Sequence, residues 1–139
     1  MIGGASGIGL AALAARACAY ARIVARRTGG AAVASGAIDH VTDGTRAALV
    51  ENGHPLMGAI TGSGCMATAL VGAFLAVQPD AFLAAAAAMV AFGVAGEIAA
   101  EHSAGPGTFR PQLMDAVYGL DGEVVRLRAR ARVTEVRPT

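Results

Sequence analysis

The feature that most restricts the possible folds is an uncharged, alanine-rich run over residues 81–96. This run is shorter than the roughly 20 apolar residues that a membrane-spanning helix needs, and alanine is only weakly apolar. Hydrophobic residues make up 55% of the chain but aromatic residues only 4%, a composition that favours tightly packed helices of small residues. We therefore predict a buried core helix over residues 81–103 and no membrane partner.

The remaining patterns predict one α/β layered domain over residues 1–139. Asp43-Gly44 lies between two runs in which apolar and polar residues alternate, which is a strong hairpin signal. Asp80 is placed to cap the core helix. The other predicted elements are a helix over 8–27, a short buried strand over 31–35, and helices over 64–77 and 110–120. AGPGTF is predicted as a loop, and the tail EVVRLRARARVTEV fits an edge strand, with a helix left open.

Charge and cysteine content exclude several classes of function. All 11 basic residues are arginines, so a phosphate loop of the Walker type, which needs its lysine, is excluded. The net charge of +1 predicts no general attraction to nucleic acid or to an anionic membrane. Two cysteines do not make a disulfide framework, and no signal-peptide pattern is found at the start. These features predict a cytoplasmic protein.

The opening string GGASGIG is similar to the cofactor loop of short-chain dehydrogenases. Such a loop needs a strand that delivers the glycine turn to the first amides of a helix. Only Met1 and Ile2 precede Gly3, and the chain has no lysine for a Tyr-x-x-x-Lys pair. A turn that caps the following helix is therefore the favoured interpretation, with a nicotinamide-binding protein as the lesser alternative.

TGSGC at residues 61–65 is the better candidate for chemistry, because it directly precedes a predicted helix. The amides of Gly62, Ser63, Gly64 and Cys65 would converge at the positive end of that helix and form an anion hole for a transferring phosphoryl group. A thiolate is favoured at a helix N-terminus, so Cys65 is a candidate to accept a proton or to organise a metal. The competing interpretation is that Cys65 is a small buried residue in a turn.

Several other residues have an ordinary interpretation beside a functional one. Glu97 and Glu101 are one helical turn apart and fit either a metal site or, as the favoured alternative, a solvated face. The arginines of RLRARAR are expected to guard an edge strand against aggregation rather than to bind nucleic acid. The remaining residues of this kind are His40 and His54 (surface or turn, with a ligand role less favoured), His102 (helix dipole) and Cys18 (core).

Residues 39–120 strongly resemble the hydroxyethylthiazole kinases, thiamine-salvage enzymes of the ribokinase-like fold. The resemblance rests on DHVTDG, VENGHPLM, TGSGC with ATALVGAFLAV, VAGEIAAE and AGPGTFRPQLMDAVYGL, which occur in the family's order and spacing. It implies transfer of the γ-phosphate of ATP to the hydroxyl of 5-(2-hydroxyethyl)-4-methylthiazole, with Mg²⁺. It also implies catalysis by Cys65, substrate contact at Gly62, ATP contact at Ser35, and a homotrimer with sites at subunit boundaries.

The chain also departs from this family. Members are nearly twice as long, so the resemblance implies the C-terminal portion of the fold, incomplete at the N-terminus. IGGASGI looks like an eroded Ile-Arg-Gly-Asn-Ala-Ser-Glu-Ile, in which Gly3 replaces the arginine that touches ATP and Gly7 the glutamate that supports Mg²⁺. The alternative function is therefore an impaired remnant that binds nucleotide weakly or pairs with another chain.

Overall fold

A four-stranded antiparallel sheet and five α-helices make up residues 10–135, the part of the chain that the computed structural model describes. The strands lie in the order β1-β2-β3-β4. A 3₁₀ turn covers Pro55–Ala59. The elements are α1 (Leu10–Thr28), β1 (Ala32–Ala34), β2 (Asp39–Thr42), β3 (Arg46–Val50), α2 (Ser63–Leu75), α3 (Ala81–Glu101), α4 (Pro106–Tyr118), α5 (Gly122–Arg128) and β4 (Ala131–Glu135).

The predicted hairpin is confirmed, and Asp43 closes it. Its carboxylate accepts hydrogen bonds from the amides of Thr45 (2.8 Å) and Arg46 (2.7 Å), while Gly44 has a φ of +95°. Burial opposes ionisation of Asp43, but these hydrogen bonds and the Arg46 guanidinium outweigh it and hold its pKa well below the usual range. The turn therefore fixes the register in which Val41 lies opposite Ala48.

α3 is the core helix that the alanine-rich run predicts. Thirteen of its 21 residues are buried, and it packs against one face of the sheet through Val41, Ala48 and Val50, each 0% exposed. By length and composition α3 could cross a membrane, but 67% of its most apolar window is buried inside the protein. A core helix accounts for this composition without a membrane.

The start of α3 is bound to the hairpin through one arginine. Asp80 caps the helix by accepting from the amides of Phe82 (3.0 Å) and Leu83 (3.1 Å), as predicted. The Arg46 guanidinium donates to both carboxylate oxygens of Asp80 at 2.9 and 3.0 Å and lies 4.4 Å from the centre of the Phe82 ring. The turn of the sheet and the first turn of α3 therefore form one connected unit.

Three predictions about the fold are corrected. The β1 strand is not fully buried, since Val33 is 37% exposed. AGPGTF is not wholly a loop, because α4 begins at Pro106, a residue that suits the first helical position because its missing N–H has no partner there anyway. Cys18 is only half-buried rather than a core residue, and burial raises the pKa of its thiol.

The tail contains both structures that its sequence allows. Asp121 caps α5 by accepting from the amides of Glu123 (2.7 Å) and Val124 (3.4 Å), so the first part of the tail is a helix. After Ala129 the chain becomes β4, which pairs with β3 as an edge strand. The sequence pattern of the tail therefore fits a helix and a strand, and the structure has the helix first and the strand after it.

Candidate functional site

A cleft of about 500 Å³ lies where the β1–β2 connection, the loop after β3, the start of α2 and the middle of α3 meet. Its walls include polar groups from the first three of these segments and the apolar side chains of Met89 and Phe92 from α3. A smaller cleft of about 200 Å³ continues beside α2 and shares Ser35 and Gly64 with the first. Such a concave site with a few convergent polar groups is the usual form of a small-molecule pocket.

Three of the five residues predicted to contact ATP or phosphate line one cleft. Ser35, Ser63 and Gly64 line the same cleft although 28 or more positions separate Ser35 from the other two in the sequence. Gly62 and Cys65 flank this pair on the chain but do not line the cleft. The side chain of Cys65 is exposed, so the interpretation of Cys65 as a buried residue in a turn is wrong.

The first turn of α2 leaves amides without hydrogen-bond partners among the residues that the structure describes. Gly62 precedes the helix with a φ of +94°, a conformation that favours glycine, and its carbonyl accepts the first helical hydrogen bond, from the Met66 amide at 3.0 Å. The amides of residues 63–65 donate no hydrogen bond within residues 10–135, and no side chain caps them. Within residues 10–135, three N–H groups at the positive end of this helix therefore remain available to donate hydrogen bonds, and two of them belong to residues that line the cleft.

Asp39 is a cleft residue that the sequence reasoning missed. It is 9% exposed, and its Oδ1 accepts from the Gly36 amide at 2.9 Å, which closes the turn that follows Ser35. Burial raises the pKa of Asp39, while the hydrogen bond from Gly36 and the nearby His40 oppose that shift. The signal in the sequence was an aspartate at the start of the DHVTDG string, where the strand β2 begins.

Residues 52–54 form a second part of the cleft wall that had no predicted role. Asn52 is 4% exposed, and Gly53 has a φ of +140°. His54, predicted as a surface or turn residue, lines the cleft; its Nδ1 accepts from the Leu56 amide at 3.2 Å and so caps the 3₁₀ turn. The string NGH, an amide residue and a glycine before a proline turn, was the signal for this loop.

Glu97 and Glu101 do not form the pair that a metal site would require. Glu97 Oε1 accepts from the Gly53 amide at 2.9 Å and from Asn52 Nδ2 at 3.0 Å, whereas Glu101 pairs with Arg128 at 2.7 Å. The favoured interpretation, a solvated face, is therefore wrong for Glu97, whose side chain is only 16% exposed. Within the described range, no three His, Cys, Asp or Glu residues cluster as metal ligands.

The other histidines and the arginines singled out in the sequence lie outside the cleft lining. His40 lies half-buried on β2 opposite Leu49, and His102 ends α3 as its C-cap. Two of the arginines of RLRARAR, Arg130 and Arg132, pair with Glu97 and Glu51. The exposed β4 thus carries paired charge along the edge of the sheet, in agreement with a guard against aggregation.

The chain is thus an α/β protein in which a polar cleft adjoins the N-terminus of a helix. The family model of the hydroxyethylthiazole kinase family matches residues 3–123. The chain belongs to the hydroxyethylthiazole kinase family. The matched range includes GGASGIG, so a dehydrogenase interpretation of that string is not favoured; residues 3–9 themselves lie outside the described part of the structure.

Individual relatives agree with this assignment. A hydroxyethylthiazole kinase of Granulibacter bethesdensis is 49% identical over 128 residues, which cover 92% of this chain and 47% of the relative. One of Desulforudis audaxviator is 50% identical over 112 residues, which cover 81% of this chain and 41% of the relative. The solved structure of hydroxyethylthiazole kinase protein from Pyrococcus horikoshii OT3 superposes with a TM-score of 0.81 at 40% identity and covers 87% of this chain.

These matches confirm the α/β fold expected from the resemblance, as part of a ribokinase-like fold. The chain spans about half the length of these relatives, 41% and 47% of the two curated proteins and 47% of the solved one. Membership in the family is therefore established, and the activity of this chain is a separate question.

Proposed function

We propose that this chain takes part in ATP-dependent phosphorylation of the hydroxyl of 5-(2-hydroxyethyl)-4-methylthiazole, a step of thiamine salvage. The observation that carries the proposal is the set of free amides at residues 63–65, at the start of a helix whose Ser63 and Gly64 line the cleft. Charge spreads over the equatorial oxygens of the transferring phosphoryl group, and fixed N–H dipoles stabilise that charge. Membership in a kinase family supports the same chemistry.

In this proposal the substrate oxygen attacks the γ-phosphorus and the bond from that phosphorus to the β-phosphate oxygen breaks, which leaves ADP. Cys65 acts in its thiolate form and becomes the thiol when it accepts the hydroxyl proton; its exposed side chain in the first turn of α2 leaves it accessible to the substrate. By resemblance to the family, Gly62, next to the cleft-lining Ser63 on the chain, contacts the thiazole alcohol, and Ser35, which lines the cleft, contacts ATP. No step is assigned to Mg²⁺, which enters as the counter-ion of ATP.

The same proposal includes a homo-oligomer, a trimer by resemblance to the family, and a cytoplasmic location. Exposed apolar side chains on α1 and α2 support an assembly, among them Tyr20 (60% exposed), Val24 (51%) and Leu75 (45%). Large exposed apolar surfaces commonly mark contacts between subunits.

The test is transfer of labelled γ-phosphate from MgATP to hydroxyethylthiazole by the purified chain, by Cys65→Ala, and by Cys18→Ala as a matched control. We expect product with the wild-type chain, a rate at least about 100-fold lower with Cys65→Ala, since loss of acid–base catalysis typically costs 10²–10⁴-fold, and little change with Cys18→Ala. No product from a soluble, folded chain would refute the proposed activity. Equal rates for all three proteins would instead remove Cys65 from the mechanism.

A further inference from the structure

The wall of the cleft at residues 52–54 is attached to α3 by a single carboxylate. Glu97 Oε1 accepts three hydrogen bonds, from the Gly53 amide (2.9 Å), Asn52 Nδ2 (3.0 Å) and Arg130 Nη2 (2.7 Å). Glu97 Oε2 accepts a longer bond from Arg130 Nη1 at 3.3 Å. Glu97 thus connects the lining of the cleft to the core helix and to the C-terminal strand region.

The same loop lies directly against the backbone of α3. A methyl group at Gly93 would approach Asn52 Cβ and its carbonyl oxygen to 2.6 Å, closer than real side chains come. Gly53 has a φ of +140°, which favours glycine. The loop therefore cannot move toward α3 without rearrangement, and neither Gly93 of α3 nor Gly53 of the loop can be replaced by a larger residue without strain.

The connection between α5 and β4 holds the loop from the other side. Asn52 Nδ2 also donates to the Arg128 carbonyl at 2.9 Å, and Asn52 Oδ1 accepts from the Arg130 amide at 2.6 Å. The Glu51 amide donates to the Arg130 carbonyl at 2.8 Å. Loss of Glu97 would leave Asn52 bound only on this side and would remove the partner of the half-buried Gly53 amide, which lowers the protection of that amide.

The charge of Glu97 is also balanced. A carboxylate beside a cleft proposed to hold phosphate groups would repel them, but the ion pair with Arg130 at 2.7 Å offsets the charge of Glu97. Burial opposes ionisation of Glu97, but the hydrogen bonds from Gly53, Asn52 and Arg130 outweigh it and hold the pKa of Glu97 below its ordinary value. Glu97 is thus ionised and paired at neutral pH.

We infer that Glu97 is a positioning residue, which holds the 52–54 wall of the cleft in the arrangement that substrate binding requires. It acts through Asn52 and Gly53. The inference rests on the proposed function for the identity of the substrates, but the position of the wall can be measured without catalysis. A displaced wall would weaken binding and orientation, and displacements of about 1 Å can lower rates about 100-fold.

The test compares Glu97→Ala and Glu97→Gln with Glu101→Ala, a matched control one turn along α3. Two quantities are measured in the full chain: hydrogen exchange of the Gly53 amide by NMR, and KM and kcat for phosphate transfer to hydroxyethylthiazole. For Glu97→Ala we expect Gly53 exchange to accelerate at least tenfold beyond the average of the core amides, and KM to rise at least tenfold with a smaller change in kcat. Glu97→Gln retains an acceptor and should recover most of both, and Glu101→Ala should change each less than twofold.

Wild-type Gly53 exchange in Glu97→Ala, or an acceleration equal to that of all core amides, would overturn the inference. A KM within twofold of the wild type in an active chain would overturn it as well. If the wild-type chain transfers no phosphate, the proposed function fails by itself. Gly53 exchange in the folded Glu97→Gln and Glu97→Ala chains then decides whether Glu97 positions the wall.

Discussion

α2 and α3 have nearly the same kind of sequence and opposite surroundings. Both are uncharged over almost their whole length and rich in alanine, with glycines in their interiors. α3 has 13 of 21 residues buried, whereas α2 has only Ala67 buried among 13. Within residues 10–135, α3 is covered by the sheet, α2 and α4, and α2 packs chiefly on α3.

The difference shows that composition measures the capacity of a helix to be buried, while the neighbouring elements determine how much of it is buried. α3 faces Val41, Ala48 and Val50 of the sheet and the buried Phe109 and Leu113 of α4. α2 instead leaves Leu75 at 45% exposed, and Val77 just beyond its end at 84%. Stability should therefore depend far more on α3 than on α2.

The largest expected effect is the contrast between truncations in the two helices. Phe82→Ala in α3 should lower the free energy of unfolding by about 3–5 kcal/mol, because the side chain is 1% exposed and leaves a cavity. Leu75→Ala in α2 should cost below about 1 kcal/mol, because nearly half of the side chain is already in water. Urea denaturation followed by circular dichroism measures both values.

Comparable losses of unfolding free energy in Phe82→Ala and Leu75→Ala would contradict the contrast between α3 and α2. They would mean that the exposed face of α2 is covered in solution, for instance by another copy of the chain. Sedimentation velocity on the wild type and on Leu75→Ala would identify such an assembly, since the association should weaken in the variant.

Replacement of a helical glycine by alanine should have a smaller effect on stability, with opposite sign in α3 and α2. Gly93→Ala should destabilise the chain by about 1–3 kcal/mol, because the new methyl group meets the backbone of Asn52. Gly72→Ala in α2 should stabilise the chain by about 0.5–1 kcal/mol, because alanine is the better helix former. In the part of the chain that the structure describes, the added methyl group would meet no heavy atom within 4 Å apart from those of its own helix backbone. Thermal unfolding of the two variants beside the wild type checks the signs, and stabilisation by Gly93→Ala would contradict the close contact between α3 and the loop.

Local signals were sufficient for much of the fold. The hairpin at Asp43-Gly44, the cap at Asp80 and the burial of residues 81–101 were predictable because each depends on nearby residues or on a long uniform pattern. The start of α4 was misplaced because a Gly-Pro-Gly string is typical of loops, although proline also suits the first turn of a helix. The change from α5 to β4 required knowledge of the pairing with β3, which no local pattern contains.

The candidate site was predictable only in part, for the same reason. TGSGC combines a glycine turn and a helix start within five residues, so its position at the N-terminus of a helix was predictable. Asn52 and Glu97 are 45 positions apart and meet only in the folded chain, at 3.0 Å. Glu97 was therefore assigned a solvated face, since the partner that buries it is invisible from its own helix.

The smallest expected effect is electrostatic and lies where α2, α3 and the sheet surround the cleft. Burial raises the pKa of Asp39 in the folded chain, so its ionisation costs stability as pH rises from the ordinary pKa of aspartate through the raised value. Asp39→Asn keeps the oxygen that accepts from Gly36 but cannot ionise. It should be more stable than the wild type at pH 7, and the difference should vanish in acid.

Asp43 supplies the control with the opposite sign. The pKa of Asp43 is lowered on folding despite the opposing effect of burial, so ionised Asp43 stabilises the chain above the ordinary pKa of aspartate, and this stability is lost as pH falls. Asp43→Asn should therefore be less stable than the wild type at pH 7, with a difference that shrinks toward acid. Urea midpoints from pH 3 to pH 7 measure both slopes. If the two stability differences changed with pH in the same direction, Asp39 would be solvated rather than buried. The cleft beside α3 would then be more open to water, and the contrast in burial between α2 and α3 would be smaller than in the structure.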